Sequence, residues 1–366
     1  MNSKPYRVAI IGTGMIANSD HIPAWQAVGD SIKLVAVANP GIEKAQATAQ
    51  KFDIPGVYAD PQNMLDEVKP DIVSICAPNV YHKEWTLASI KAGAHVLCEK
   101  PVATSYADTV EMFQAAESAG KMLYVAQSMR FKNLFLAARD FIESGELGDI
   151  YFAEGNVIRR RGIPTWGKFH MKVHNAGGPL WDLGVHVLDF LFWVMGNPDV
   201  KSVSGMIYQK IGNREEQLST SLEESGARGD IFTSRPYNFH DFDVEDFAGG
   251  LIRLKNDSTI MIKVSWAINL PDGSSFSIAG SDGGLQFPPL RLLTNQAGHQ
   301  TETTLKSNQE PQIPFTGHYR LFKNMLGAIE GKEEMIVKPD EVMNVVRVIE
   351  SLYRSGQERR EITFGD

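Results

Sequence analysis

Five short apolar runs, Arg7 to Ile11, Leu34 to Ala38, Ile72 to Cys76, His95 to Cys98 and Leu123 to Ala126, alternate with amphipathic stretches. This rhythm restricts the first third of the chain to a parallel sheet with crossover helices. Runs without polar alternation are strands buried on both faces. The punctuation agrees: Asp60-Pro61 reads as an N-cap followed by Pro at the first helical position, and Gly93 and Gly120 fall just past the helices they end.

Directly after the first run stands Gly12-Thr13-Gly14-Met15-Ile16-Ala17, with a helical pattern following. The first Gly allows a tight turn, the second lets a pyrophosphate approach the backbone, and Ala17 permits close packing of helix on strand. A helix N-terminus then offers unpaired N–H groups and partial positive charge to the phosphates. Such a turn, set between strand and helix, points to a dinucleotide. The end of the second strand carries Asn39 where Asp or Glu would bind ribose hydroxyls. Its amide can bond a hydroxyl but does not repel a 2′-phosphate, and no Arg follows it, so NAD is favoured only slightly over NADP.

A chain of 366 residues is long enough for two domains, and the pattern changes after about Gly148. Ile150 to Ile158, Val200 to Ile207, Phe247 to Leu254, Thr259 to Trp266 and Ser275 to Ile278 read as strands without long helices between them, which is antiparallel composition. The stretch from Gln209 to Asp241 is polar and reads as a surface excursion. A last amphipathic helix is predicted from Asp340 to about Ser355, packing back on the first domain. The domains are expected at 1–128 and 129–366.

Hydrophobic residues at 43% and charged residues at 22% exclude a disordered or disulfide-scaffold chain. With 36 Lys+Arg against 44 Asp+Glu the net charge is −8, which gives neither nucleic acid nor an anionic membrane electrostatic support. The amino-terminal apolar stretch is too short for a signal peptide core, so a cytoplasmic protein is expected. Cys76 and Cys98 each end a predicted buried strand and read as reduced packing residues.

Two segments carry chemistry. Glu99-Lys100-Pro101 lies at the carboxyl end of a parallel strand, where open α/β sheets bind ligands, and Pro78, Asn79 and His82 follow another such end. Farther on, Gly177-Gly178-Pro179 opens a helix on which Asp182, His186 and Asp189 share one face, away from Leu180, Leu183, Val187 and Val194. Between them a loop crowds Arg159, Arg161, Trp166, Lys168, His170 and His174, the multi-donor and aromatic side chains that suit a polyhydroxylated ring. His170 and His174 lack the helical support of a zinc motif, so no metal is expected.

The glycine turn, Glu99-Lys100-Pro101, Arg130-Phe131 and the segment from Gly177-Gly178 to His186-x-x-Asp189, in this order, resemble the Gfo/Idh/MocA oxidoreductases. That resemblance implies an N-terminal Rossmann-type doubly wound parallel sheet and a C-terminal α+β domain with an open-faced, mainly antiparallel sheet. It also implies NAD(P)-linked interconversion of a secondary hydroxyl and a ketone on a sugar, cyclitol or related polyol. Lys100, Asp182 and His186 fall at the catalytic positions. The cofactor is expected at Gly12, Thr13, Gly14, Met15, Ile16, Asn39, Pro78, Asn79, His82, Glu99 and Gln127, and the substrate at Lys100, Arg130, Arg161, Trp166, Asp182 and His186. His186 would take the hydroxyl proton and Lys100 would hold the developing alkoxide, both on one substrate oxygen. Asn39, Pro179 in place of a third glycine, and the 209–241 insert depart from the family pattern. A redox-assisted glycosidase and a non-catalytic nucleotide-binding regulator are the alternative readings of the same fold. Apolar alternation at Ile260, Ile262 and Val264 is read as an exposed sheet face that pairs copies into a dimer or tetramer.

Overall fold

The first sheet comprises β1 (Tyr6–Ile11), β2 (Ile32–Ala38), β3 (Gly56–Tyr58), β4 (Ile72–Ile75), β5 (His95–Cys98) and β6 (Leu123–Val125). In this computed structural model, which describes residues 4–215, 227, 237–306 and 315–365, all pairings of that sheet are parallel and the strand order is β3-β2-β1-β4-β5-β6. Five strands coincide with the apolar runs because Val8–Ile11, Ala36–Ala38, Ile72–Ile75 and Val96–Cys98 are buried throughout, as helices on both faces require. The short β3 has no such run and escapes the pattern. Asp60 caps its helix by accepting the Gln62 N–H at 2.9 Å. The strand order reverses about β1, which leaves a crevice beyond the carboxyl ends of β1 and β4.

The first unit runs to Phe131 and takes in residues 315–343, including a helix at Thr316–Ile329. The last helix, Pro339–Glu358, therefore contributes only its first turn to this unit. From Asn344 onward it belongs to the second unit, where Ser355 Oγ accepts the Gly205 N–H at 2.8 Å.

The second unit is built on β7 (Ile150–Ile158), β8 (Val200–Tyr208), β9 (Phe247–Leu254), β10 (Thr259–Ser265), β11 (Gly273–Gly280), β12 (Gly284–Phe287), β13 (Arg291–Gln296), β14 (His299–Thr304) and β15 (Ile362–Thr363). These nine strands form one sheet in the order β14-β13-β12-β11-β7-β10-β9-β8-β15, antiparallel except for the β7–β10 pair. The helix Val185–Val194 covers one face, with Val187 lying where a Cβ on Gly155 would sit. Phe135, Phe190, Phe276 and Phe287 interlock beneath it, the Phe276 and Phe287 rings stacked at 5.0 Å.

That packing corrects the reading of β10. Ile260, Ile262 and Val264 point into the core at 0%, 1% and 0% exposure, and the open face carries Tyr151, Met206, Tyr208 and Met261 instead. Alternation identifies a strand but not which of its faces meets a helix. Of the polar insert, residues 216–226 and 228–236 lie outside the described residues; its base is held by Asp246, whose Oδ2 accepts the N–H groups of Lys210, Ile211 and Gly212. Among the described residues no helix is long and apolar enough to cross a membrane.

The face assignment predicts unequal responses at adjacent positions. Ile262→Ala should cost about 2–5 kcal/mol, whereas Met261→Ser should stay within about 0.5 kcal/mol. Denaturation midpoints of the two variants check this.

Candidate functional site

In the first unit the candidate side chains stand at the carboxyl ends of the strands. Gly12 follows β1 with φ +90°, and a Cβ there would stand 2.5 Å from the Cys76 carbonyl oxygen, so only glycine lets the β1 turn lie against the end of β4. Gly14 is different: a Cβ on it would meet nothing within 4 Å, which leaves the backbone open to an incoming group. Helical structure starts at Met15, so the first N–H groups lack intrahelical acceptors at that opening. Thr13 Oγ1 and, after β6, Gln127 Oε1 are buried with no hydrogen-bond partner. Open backbone, a helix start and two orphaned polar atoms fit a dinucleotide held along these strand ends.

Asn39, at the end of β2, accepts the Thr13 N–H at 3.4 Å and donates to the Gly41 carbonyl at 3.0 Å. Its amide thus ties the glycine turn to the turn after β2 with both ends in use. Pro78 precedes a 3-10 turn at Asn79–Tyr81, and Asn79 is largely buried. His82 is fully buried, with ring nitrogens 2.7 Å from the Pro101 carbonyl and 2.8 Å from that of Ala77. It braces the loops after β4 and β5 from behind, a correction to its expected place against the cofactor. Burial pushes its imidazole below the ordinary value despite the two carbonyls. Arg130 is likewise corrected: it is fully buried, paired with Glu341 and donating to the Ile336 carbonyl, so it ties residues 336–341 to the sheet instead of presenting a guanidinium to substrate.

Lys100 is half-buried at the end of β5, and the preceding Glu99 turns its carboxylate inward and not toward the cofactor, where it was expected. Glu99 Oε1 lies 2.7 Å from His21 Nε2 and 3.5 Å from His318 Nε2, while Oε2 accepts the Lys100 N–H at 3.0 Å. Burial alone would raise this carboxyl, but hydrogen bonds from the two histidines outweigh it and hold the group well below its ordinary value. His21 moves down because burial disfavours its charged form, partly offset by Glu99. Among the described residues, His21, Glu99 and His318 are the group whose donor atoms approach within 4.8 Å of one another as a metal set would. The 2.7 Å contact is a hydrogen bond, since two ligands on a tetrahedral ion sit about 3.4 Å apart. Both cysteines are buried and free, and burial pushes their thiols upward, which suits packing and not nucleophilic chemistry.

In the second unit a π-helical turn, Leu180–Gly184, leads into the Val185–Val194 helix. From Gly177 to Val194 every residue is buried except Asp182 and His186, so the polar face expected from the spacing is real but narrower, and Asp189 lies in the core. Asp182 Oδ2 accepts the Trp266 Nε1–H at 3.0 Å, and Trp266 is fully buried. The helix start is anchored by buried Glu245, which accepts from Gly178 N at 2.9 Å, Leu180 N at 3.1 Å and Tyr353 Oη at 2.6 Å. Burial raises the Glu245 carboxyl even against those donors. A Cβ on Gly178 would collide with the Glu245 carbonyl, which accounts for the glycine. Trp166 packs edge-on to Phe169 with ring centroids 5.0 Å apart. Arg161 donates to the Arg160 and Ile268 carbonyls and to Asn269 Oδ1. His170 is buried against the Tyr237 ring.

The sequence reading missed His21, His318, Glu245, Trp266 and Tyr353. His21 falls on the helix after the glycine turn and was within reach of a periodicity argument; the others are brought in from distant segments, and nothing local marks them.

Comparison with known proteins accords with this geometry. A profile described as "Oxidoreductase family, NAD-binding Rossmann fold" matches residues 6–127, and one described as "GFO/IDH/MocA C-terminal domain" matches residues 135–286. The chain is 33% identical over 359 residues to the D-glucoside 3-dehydrogenase of Escherichia coli (strain K12), spanning 98% of this chain and 97% of that one. It is 26% identical to the D-xylose 1-dehydrogenase (NADP(+)) 2 of Haloferax volcanii, over 95% and 96% of the two chains. Levoglucosan dehydrogenase in complex with NADH shares the fold with a TM-score of 0.82 at 19% identity, covering 99% of this chain and 100% of that one.

The directions found for His21 and Glu99 have a sign in stability. Both folded-state values lie below the unfolded ones, so the unfolded chain binds more protons as pH falls, and this contribution, full at neutral pH, is lost through and below the ordinary histidine range. The His21 ring should titrate below its ordinary value of about 6.5. Histidine C2-proton NMR checks it, and a midpoint above that value contradicts the assignment.

Proposed function

This chain belongs to the Gfo/Idh/MocA family of NAD(P)-dependent oxidoreductases, and on that premise we propose that it interconverts a secondary hydroxyl and a ketone on a sugar, glucoside or related polyol. The observation that carries the reading is the helical segment 177–194, in which Asp182 and His186 alone escape burial. An otherwise buried segment that leaves a carboxylate and an imidazole partly exposed one helical turn apart offers the two groups alcohol oxidation can use.

Bound NAD(P) supplies the hydride acceptor. The residues of the chain handle the proton and the charge. His186 takes the hydroxyl proton as the carbinol carbon gives up its hydride, a task suited to imidazole because it titrates nearest neutrality. Lys100 stabilises the oxygen as it gains negative charge. Asp182, its carboxylate held by Trp266, takes a hydrogen bond from a neighbouring substrate hydroxyl. In the reverse direction His186 returns the proton. The relatives' names place one on D-glucosides at position 3 and one on D-xylose with NADP(+), which makes D-glucosides the first substrates to try.

NAD is favoured slightly. Asn39 carries no charge to repel a 2′-phosphate, but the residues after it, Pro40, Gly41 and Ile42, offer no Arg to hold one. Copies of the chain are proposed to associate through the open sheet face that carries Tyr151, Met206, Tyr208 and Met261; a monomer by light scattering at micromolar concentration counts against it.

A panel of glucosides, aldoses and inositols, assayed for NADH and NADPH formation, tests the reaction; sugar release without net reduced cofactor marks a glycosidase instead. On the substrate found, Lys100→Ala and His186→Ala should each lower kcat by roughly 10² to 10⁴ with little change in cofactor affinity. Near wild-type turnover in both removes them from the chemistry. Asn39→Asp should raise the NAD to NADP ratio of kcat/KM by about tenfold through charge repulsion; an unchanged ratio removes Asn39 from the cofactor site.

A further inference from the structure

Four elements converge on the residue just before Lys100. His21 and Asp20 come from the π-helical turn after the glycine loop, Ser74 from β4, His318 from the Thr316–Ile329 helix, and Glu99 from the end of β5. All five are buried. The polar atoms of the network stand within reach of one another in a chain from Trp25 to Lys100. The Trp25 indole can only donate, and it points at Ser74 Oγ over 3.4 Å. Ser74 Oγ, which has two lone pairs besides its own hydrogen, also lies 2.7 Å from His21 Nδ1. Glu99 is held ionised and can only accept, so His21 carries a proton on Nε2 and donates it to Glu99 Oε1 at 2.7 Å. The second Glu99 oxygen is left for the Lys100 backbone N–H at 3.0 Å. From the other side His318 Nδ1 stands 3.5 Å from Asp20 Oδ1, and Asp20 Oδ2 accepts from Ser19 Oγ at 2.8 Å.

A sheet does not need this. An apolar residue at position 99 would pack at the end of β5 without burying a carboxylate, and buried charge is weak evidence of a stabilising role. What a fully satisfied polar network provides is a single geometry. Here that geometry is imposed on the backbone of Lys100.

We infer that His21 and His318 hold Glu99 as an internal clamp on the Lys100 backbone, making all three positioning residues for the Lys100 amine. The inference deepens the reaction proposed above and rests on it for the role of Lys100. The clamp explains why Glu99, next to a lysine at a ligand-binding strand end, faces inward. It also gives the Thr316–Ile329 helix a part in the chemistry through His318, although that helix carries none of the residues assigned to the reaction.

The test uses the full chain with Glu99→Gln, which removes the negative charge that the two histidines hold and puts an NH2 group in place of one of the two oxygens facing the His21 and Lys100 N–H groups. Hydrogen exchange at the Lys100 amide is read without substrate, and kcat, KM and cofactor affinity are read with it. Exchange at Lys100 should quicken by about tenfold or more, and kcat should fall by about tenfold or more with KM and cofactor affinity within about threefold. His21→Gln, which keeps a donor toward Glu99, should retain more turnover than His21→Leu, a difference that lost packing alone would not produce. Unchanged exchange in Glu99→Gln, or faster exchange with unchanged kcat, overturns the clamp. If the wild-type chain oxidises nothing on the panel, the proposed function fails, and the clamp is judged by exchange alone: faster sustains it, unchanged overturns it. Should Glu99→Gln not fold, His318→Gln is measured in its place with the same criteria.

Discussion

The contact of Gly12 with the Cys76 carbonyl sets the geometry of the first unit. A Cβ at that position would come within 2.5 Å of the oxygen, so the turn after β1 lies against the end of β4 only because there is none. The two strands are neighbours at the place where the order β3-β2-β1-β4-β5-β6 reverses, which is where an open sheet leaves its crevice. From that contact follow the openness at Gly14, the helix start at Met15 and the tie from Thr13 to Asn39. The ends of β4, β5 and β6 then bring Asn79, Lys100 and Gln127 to the same edge of the sheet.

Both units use the same device behind their reactive side chains. In the first, a buried carboxylate, Glu99, accepts from His21 and from a backbone N–H; in the second, buried Glu245 accepts from Tyr353 and two backbone N–H groups. Each stands where a π-helical turn carries or borders functional residues, Ala17–His21 in one case and Leu180–Gly184 in the other. A carboxylate surrounded by donors from separate segments admits few alternative arrangements, because any donor that leaves exposes an uncompensated charge. Rigidity under Lys100 and under the Asp182 helix is thereby built from polar contacts, and the apolar cores supply the stability.

The legible parts of the chain were those whose physics is local. β1, β2, β4, β5 and β6 are continuous apolar runs because both faces are covered, and the glycine turn announces itself by spacing. The strands β12, β13 and β14 were not legible, since sequences such as Arg291–Gln296 and His299–Thr304 are short, polar and partly exposed. β10 was found as a strand and assigned the wrong face, because period-two alternation is symmetric until the covering helix is known. Lys100, Asp182 and His186 are singled out in sequence by a strand end and by helical spacing. Arg130, His82 and Glu99 read in sequence as ligand contacts, and their burial depends on Glu341, on the Pro101 carbonyl and on His318, partners that no local pattern reveals.

Transfer of label from substrate to cofactor tests the central claim most directly. A substrate from the panel, deuterated at the carbon whose hydroxyl is oxidised, is incubated with the protein and oxidised cofactor, and both products are examined by NMR and mass spectrometry. Deuterium on the nicotinamide ring of the reduced cofactor, with one equivalent of the ketone, is the predicted result. Consumption of the substrate with no deuterium in the cofactor pool and no ketone contradicts it.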